Sequence, residues 1–446
     1  MKTDLIFSFD TEDFTSNIAA DAIFTEAEIL REAGVRGCFC LVGLLAQQLE
    51  AWGRKDVLEA LSYHEIDSHT WGHTYHPLIN EYTDIEDFDA ARDEVLCQET
   101  EAIALIRHAT QIPRVYAAVP PGNQKSYAAM YAYADMGVPI YADTVCDTPD
   151  GQGVYYCNIY QMSYTYAMES LFFDGGEAEM RALLDQLAGR RNVIIYTHPH
   201  VSMFAESWDV LNYDKVNQYP FGEWVEAPRR AEEMTARFFE NMRLFVRLVK
   251  EDPRFNITTY EEVASRRAGM LPRVIRRADL PVIREQLKTA LFPLTTPGSY
   301  CLSDLFHACR VFLTEETAQA YDCGKVYGFL SQPASAEKDV SLTAAAVRAS
   351  AKELPSDGFL PEKITVGDTD IGPADWLYAA LDVLCGAETV SAAAGQVQLP
   401  SLDCLPELRD LSFRGTWLHS DEFEDRYLSE RLRLQCWTMR FEPENT

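Results

Sequence analysis

Over the first 265 residues or so, short apolar runs alternate with amphipathic stretches at least five times. "DLIFSFD" reads as a buried strand ending at Asp10, and "AADAIFTEAEILREAG" as a helix stopped by Gly34. "VRGCFCLVG", "HEIDSHT", "RVYAAVPPG", "VPIYADT" and "VIIYTHPH" supply further strands, each preceded by a helical stretch. This alternation implies an α/β fold of parallel strands covered by helices, either a barrel or a doubly wound sheet. Both architectures build their sites beyond the C-terminal ends of the strands. The chemically suggestive residues sit there in the sequence: Asp10 to Asp13, His69, Pro120 and His198.

The alternation stops near residue 270, and 446 residues suit two domains better than one. We expect domains at 1–268 and 269–446, the second mostly helical with some strand. Aligning Asp304 with Asp375 places Ala308 on Ala379 and Leu313 on Leu384, a weak helical repeat. "LPEKITVGDTDIG" reads as a hairpin-like insert. No clustered His, Asp or Glu marks this half, so it reads as a packing or interaction module.

The formal net charge of -30 disfavours nucleic acid and anionic membrane surfaces as partners. No run of 18 apolar residues appears, so no transmembrane helix is expected. The N-terminus shows no basic and apolar signal pattern. The eleven cysteines include no CxxC pair and read as reduced, mostly buried thiols. Together these point to the cytoplasm.

"YHEIDSHTWGHTYHP" holds four of the nine histidines. His69 and His73 stand four apart, which on a helical turn places both imidazoles on one face. Two histidines and one carboxylate are the usual protein ligands of a catalytic zinc, with a position left for water. "FSFDTEDF" offers Asp10, Glu12 and Asp13, a crowding of like charge that a cation would relieve. In an extended chain Asp10 and Glu12 share one side and Asp13 takes the other. His198, closing a buried strand, has the chemistry of a general acid toward a leaving amine or alcohol. Each of these also has a plainer reading: surface histidines, a solvated acidic turn, a satisfied structural imidazole.

Together "SFDTED", "HEIDSHTWGH" and "IIYTHPH" resemble the motifs of the polysaccharide deacetylases, the NodB-homology carbohydrate esterases, over residues 1–265. The resemblance implies a distorted (β/α) barrel with fewer than eight strands. It also implies metal-dependent removal of an N- or O-acetyl group from an amino sugar or glycan. Residue by residue it makes Asp10 the general base, His69 and His73 metal ligands, and His198 the general acid. The family's two adjacent aspartates are here separated by Thr11 and Glu12, so Asp13 or Glu12 completes the ligand set, with Asp13 preferred. Zinc is the expected metal, with cobalt or nickel as substitutes. An oxyanion donor is expected near Pro121-Gly122, and His200 and Trp208 as substrate-groove residues. Trp208, with Tyr213, Tyr219 and Trp224 on the same aromatic loop, could stack on sugar rings, and core packing under the loop would explain all four equally well. The family's base-tethering Arg is replaced by Val119, with Lys125 a substitute cation or a solvated surface residue. His64 and His76 are expected to frame the motif.

The segment around residues 350–384 faintly resembles pseudomurein-binding-type repeats, which implies glycan or envelope association. A cytoplasmic deacetylase would suit a nucleotide- or lipid-linked precursor of a surface polysaccharide. Two other readings stand beside it. One is an amide, imide or formyl hydrolase on a small or lipid-linked substrate. The other is a non-catalytic glycan-binding protein, favoured by the loss of Arg at Val119.

Overall fold

The computed structural model describes residues 2–121, 125–143, 146–213, 219–268, 273–401, 419 and 423–442. The chain divides into two compact units. One comprises 1–153, 161–268 and 409–428; the other comprises 154–160, 269–408 and 429–446.

The protein is mixed α/β. Its strands begin with β1 (Thr3–Thr11), β2 (Cys38–Leu41), β3 (Glu65–Ser68), β4 (Ala117–Ala118) and β5 (Ile140–Ala142). They continue with β6 (Val154–Tyr156), β7 (Ile159–Met162), β8 (Tyr164–Ala167), β9 (Asn192–Thr197) and β10 (Phe255–Ile257). In the first unit the parallel order is β5-β4-β3-β2-β1-β9-β8. The β10 strand adds to β1 in parallel through Thr3–Leu5. Eight strands of this unit therefore pair in parallel, where fewer than eight were expected. The two that sequence reading passed over, β8 and β10, are short and lack a continuous apolar run: "YTYA" is half-exposed and "FNI" is only three residues long.

The central strand is β1, paired with β9 from Asp4↔Asn192 to Phe9↔Thr197 and with β2 from Ser8↔Cys38 to Thr11↔Leu41. Pleating sends Phe7 and Phe9 to one face, where Phe7 packs edge-on against Phe245 and Phe9 stacks on Phe39. Ser8 and Asp10 point to the opposite face. Because all eight strands run the same way, Asp10, His69, Ala118, Ala142 and His198 are brought to one edge of the sheet.

Helices α1 (Ala19–Glu32), α2 (Gly43–Ala51), α3 (Lys55–Leu61), α4 (Ile79–Thr83), α5 (Phe88–Thr110) and α6 (Tyr127–Asp135) connect the early strands. Asp87 caps α5 by accepting from Ala90 N, and Ser126 caps α6 by accepting from Ala129 N. Helices α7 (Glu169–Asp174), α8 (Glu177–Leu187), α9 (Trp208–Tyr213), α10 (Glu232–Glu251) and α11 (Tyr260–Ala268) complete the unit.

The second unit contains α12 (Leu280–Thr289), α13 (Leu302–Thr314), α14 (Ala344–Ser350) and α15 (Pro373–Leu384), with a further short helix at Leu428–Leu434. It also carries small antiparallel ribbons, one of which is the expected hairpin, Ile364–Val366 against Thr369–Ile371, turning through Gly367 at φ +64°. The weak repeat has a physical basis. Asp304 accepts from Cys301 N at 3.0 Å, and Asp375 accepts from Gly372 N at 3.1 Å, each closing the first turn of its helix. Trp376 is fully buried against Phe306 and donates to Ser350 Oγ at 3.0 Å. Trp376→Ala is expected to destabilise the protein by about 3–5 kcal/mol, read as a lower denaturation midpoint. An unchanged midpoint would contradict this packing.

Among the described residues no helix is long and apolar enough to cross a membrane.

Candidate metal centre and active site

The end of β1 and the loop after β3 bring three groups together. Glu12 Oε2 lies 2.6 Å from His73 Nε2 and 3.5 Å from His69 Nε2. All three residues are buried, and one potential ligand atom from each lies within 4.8 Å of the other two. The two histidines do not share a helix face, as their spacing had suggested. They converge because the loop turns sharply, with Thr70 at φ 69° and His73 at φ 53°. Left-handed backbone at a β-branched and an aromatic residue costs on the order of 1–2 kcal/mol each. A loop strained in this way is held by what its side chains do, and Thr70 Oγ1 steadies it by accepting from His73 N at 3.3 Å.

The donor set fits a divalent metal. His69 is only 1% exposed, yet neither ring nitrogen makes a hydrogen bond. An unsatisfied buried polar group costs about 1–3 kcal/mol, which a cation at the ring nitrogen would relieve. Burial would raise the pKa of Glu12, but the imidazoles of His73, His198 and His69 outweigh it and hold the carboxyl well below the usual range. Burial likewise works against a charged His73, while Glu12 and Asp209 raise its pKa. The pocket is thus built to hold positive charge beside Glu12. Two histidines and a carboxylate are a common catalytic zinc set.

Asp13, the preferred third ligand from sequence, is not in this group. β1 stays extended to Thr11, so Glu12 keeps the side of Asp10 and Asp13 turns away. Its Oδ1 accepts from Thr15 N at 2.8 Å and Thr15 Oγ1 at 2.7 Å, a side-chain turn that ends the strand. Burial, only partly offset by these bonds, moves its pKa up to about 7.

Trp208 is also placed otherwise than expected. It is fully buried, offers no face for stacking a sugar, and points Nε1 at Glu12 Oε1, 3.4 Å away. Its ring lies 5.5 Å from that of His73 and 4.8 Å from that of Phe14. His200 and Pro121 do line the cavity; Gly122 lies outside the described residues. Burial lowers the pKa of His200 to about 4, leaving a neutral imidazole 3.5 Å from Glu12. Lys125 is buried rather than solvated, and Val119 is buried and apolar. His64 is a structural residue: it accepts from Gly37 N at 3.1 Å and lies 3.0 Å from Ala27 O. His76 pairs with Glu81 at 2.8 Å.

In the same cavity as Glu12, His69 and His73, His198 Nε2 lies 3.7 Å from Asp10 Oδ2. His198 Nδ1 lies 2.8 Å from Glu169 Oε1, which also accepts from the His198 backbone N–H at 3.0 Å. Glu169 therefore fixes the ring so that Nε2 faces the cavity. Burial opposes a charged ring, but Glu12, Glu169 and Asp10 raise the His198 pKa to about 10. The other Asp10 oxygen accepts from Tyr164 OH at 2.8 Å. Sequence reasoning missed both Glu169 and Tyr164, which come from the unread stretch "SYTYAMES". The one available signal was an acid opening the first turn of a short helix, α7.

Asp10, Glu12, His69, His73 and His198 face one cavity of about 290 Å³, with Asp143, Tyr164, Tyr196 and Asp209 among its other walls. No Lys or Arg is among its described lining residues.

No protein-family model and no curated protein matches the chain, and the C-terminal likeness to cell-wall-binding repeats finds no support. Solved structures do resemble it. One, from Mycobacterium smegmatis and provisionally assigned as a polysaccharide deacetylase, is 16% identical at a TM-score of 0.41, covering 60% of this chain and 92% of that one. A family 4 carbohydrate esterase from Streptomyces lividans, bound to acetate, is 10% identical at 0.31 over 58% and 92%. A CE4 family pseudoenzyme from Bacillus anthracis is 13% identical at 0.30 over 45% and 57%.

Proposed function

We propose that this chain is a metal-dependent hydrolase that removes an N- or O-acetyl group from an amino sugar or glycan. The observation that carries the reading is the placement of Asp10 and His198, 3.7 Å apart, beside the buried Glu12, His69 and His73 group in one cavity. A divalent metal such as zinc, held by Glu12, His69 and His73, would polarise the acyl carbonyl and acidify a water molecule. Asp10 then accepts the water proton through Oδ2 as the carbon–oxygen bond forms. His198 donates its Nε2 proton to the leaving nitrogen or oxygen as the acyl bond breaks. Glu169 accepts from Nδ1–H and so stabilises the doubly protonated imidazolium, the form that has an Nε2 proton to give.

The test is acetate release from N-acetylglucosamine oligomers and O-acetylated sugars by the zinc-loaded protein; no release from any of them would contradict the reading. Glu169→Gln adds a test by pH. Glu169 raises the His198 pKa, so its neutralisation lowers it, and the alkaline limb of the kcat profile moves to lower pH. An unmoved limb would show that Glu169 does not support the acid.

A further inference from the structure

Asp10 makes no ion pair with a Lys or Arg among the described residues, yet a base must be held at one angle to act on one water. We propose that Tyr164 is the positioning residue for this base, its hydroxyl locking the Asp10 carboxylate so that Oδ2 faces the metal group and His198. The proposal rests on the hydrolase reading and deepens it.

The hydrogen-bond directions follow from donor chemistry. A carboxylate only accepts, so the Tyr164 proton goes to Asp10 Oδ1, 2.8 Å away. The Tyr164 oxygen then has lone pairs to accept from Ser8 Oγ, 3.3 Å away. Ser8 in turn accepts from Tyr260 OH at 3.2 Å. The chain Tyr260 to Ser8 to Tyr164 to Asp10 thus runs one way, each bond polarising the next. It crosses the inward face of β1 to β8 on one side and α11 on the other. The Tyr164 ring itself packs against Tyr196, tilted by 33° with centroids 4.5 Å apart. Val119, buried and apolar, cannot make such a bond.

Tyr164→Phe removes one oxygen and leaves the ring. In an active wild-type background, kcat for acetate release is expected to fall about tenfold, with KM and bound zinc unchanged within about twofold. A purely structural role would instead lower zinc content and kcat together. The crystal structure of Tyr164→Phe is expected to show the Asp10 carboxylate rotated, with Glu12, His69 and His73 superposing on the wild type. An unchanged kcat, or an Asp10 carboxylate that has not moved, overturns the proposal. If the wild type releases no acetate, the hydrolase reading falls, and the Asp10 orientation in the Tyr164→Phe crystal alone decides this one.

Discussion

Asp10→Asn is expected to lower kcat for acetate release by about two to four orders of magnitude while leaving bound metal in place. The amide keeps the shape of the side chain and can still meet Tyr164 OH, but it cannot take a proton from water. Asp10 is not one of the three converging groups Glu12, His69 and His73; its carboxylate faces His198 and Tyr164. Zinc content and kcat measured on the same preparation separate the two roles. Full zinc with lost turnover marks Asp10 as the base. Zinc lost along with turnover would make it a ligand, and undiminished turnover would remove it from the chemistry.

Glu12→Gln and Asp13→Asn are expected to behave in opposite ways. Glu12 lies between His69 and His73 and receives the Trp208 N–H, so its replacement removes the anionic member of the donor set. Even outer-shell partners of a metal typically cost about 10–100-fold in affinity, so loss of this inner carboxylate should weaken zinc binding by at least about a hundredfold. Asp13→Asn disturbs only the turn through Thr15 and should bind zinc as the wild type does. Calorimetric titration with zinc decides it. Wild-type affinity in Glu12→Gln with weakened affinity in Asp13→Asn would reverse the assignment.

The sequence disclosed the end of the sheet that carries the candidate site better than the interior of the fold. Strand ends were readable because apolar runs stopped at Asp10, His69 and His198, and parallel strands bring such ends together. The choice between Glu12 and Asp13 turned on one residue of strand length: with β1 extended to Thr11, the pleat carries Glu12 to the side of Asp10. The HxxxH spacing suggested a helix, whereas the loop reaches the same convergence through two left-handed residues, a conformation no periodicity reveals. Trp208 looked like a sugar platform because aromatic side chains on a long loop are ambiguous; its N–H finds Glu12, nearly two hundred positions away in the chain. Tyr164 and Glu169 were beyond reach for the same reason, since their partners Asp10 and His198 adjoin them only through the pairing of β8, β9 and β1. In the second unit, Asp304 and Asp375 were legible as a repeat because a capping acid acts locally.

The central claim is that turnover depends on a metal held by Glu12, His69 and His73. It is tested most directly by stripping the protein with a chelator and restoring zinc in substoichiometric steps, with acetate release followed at each step. The account predicts no turnover in the stripped protein, a linear return that saturates at one zinc per chain, and no return in His69→Ala. Full turnover by the stripped protein, or restoration in His69→Ala equal to the wild type, would contradict it.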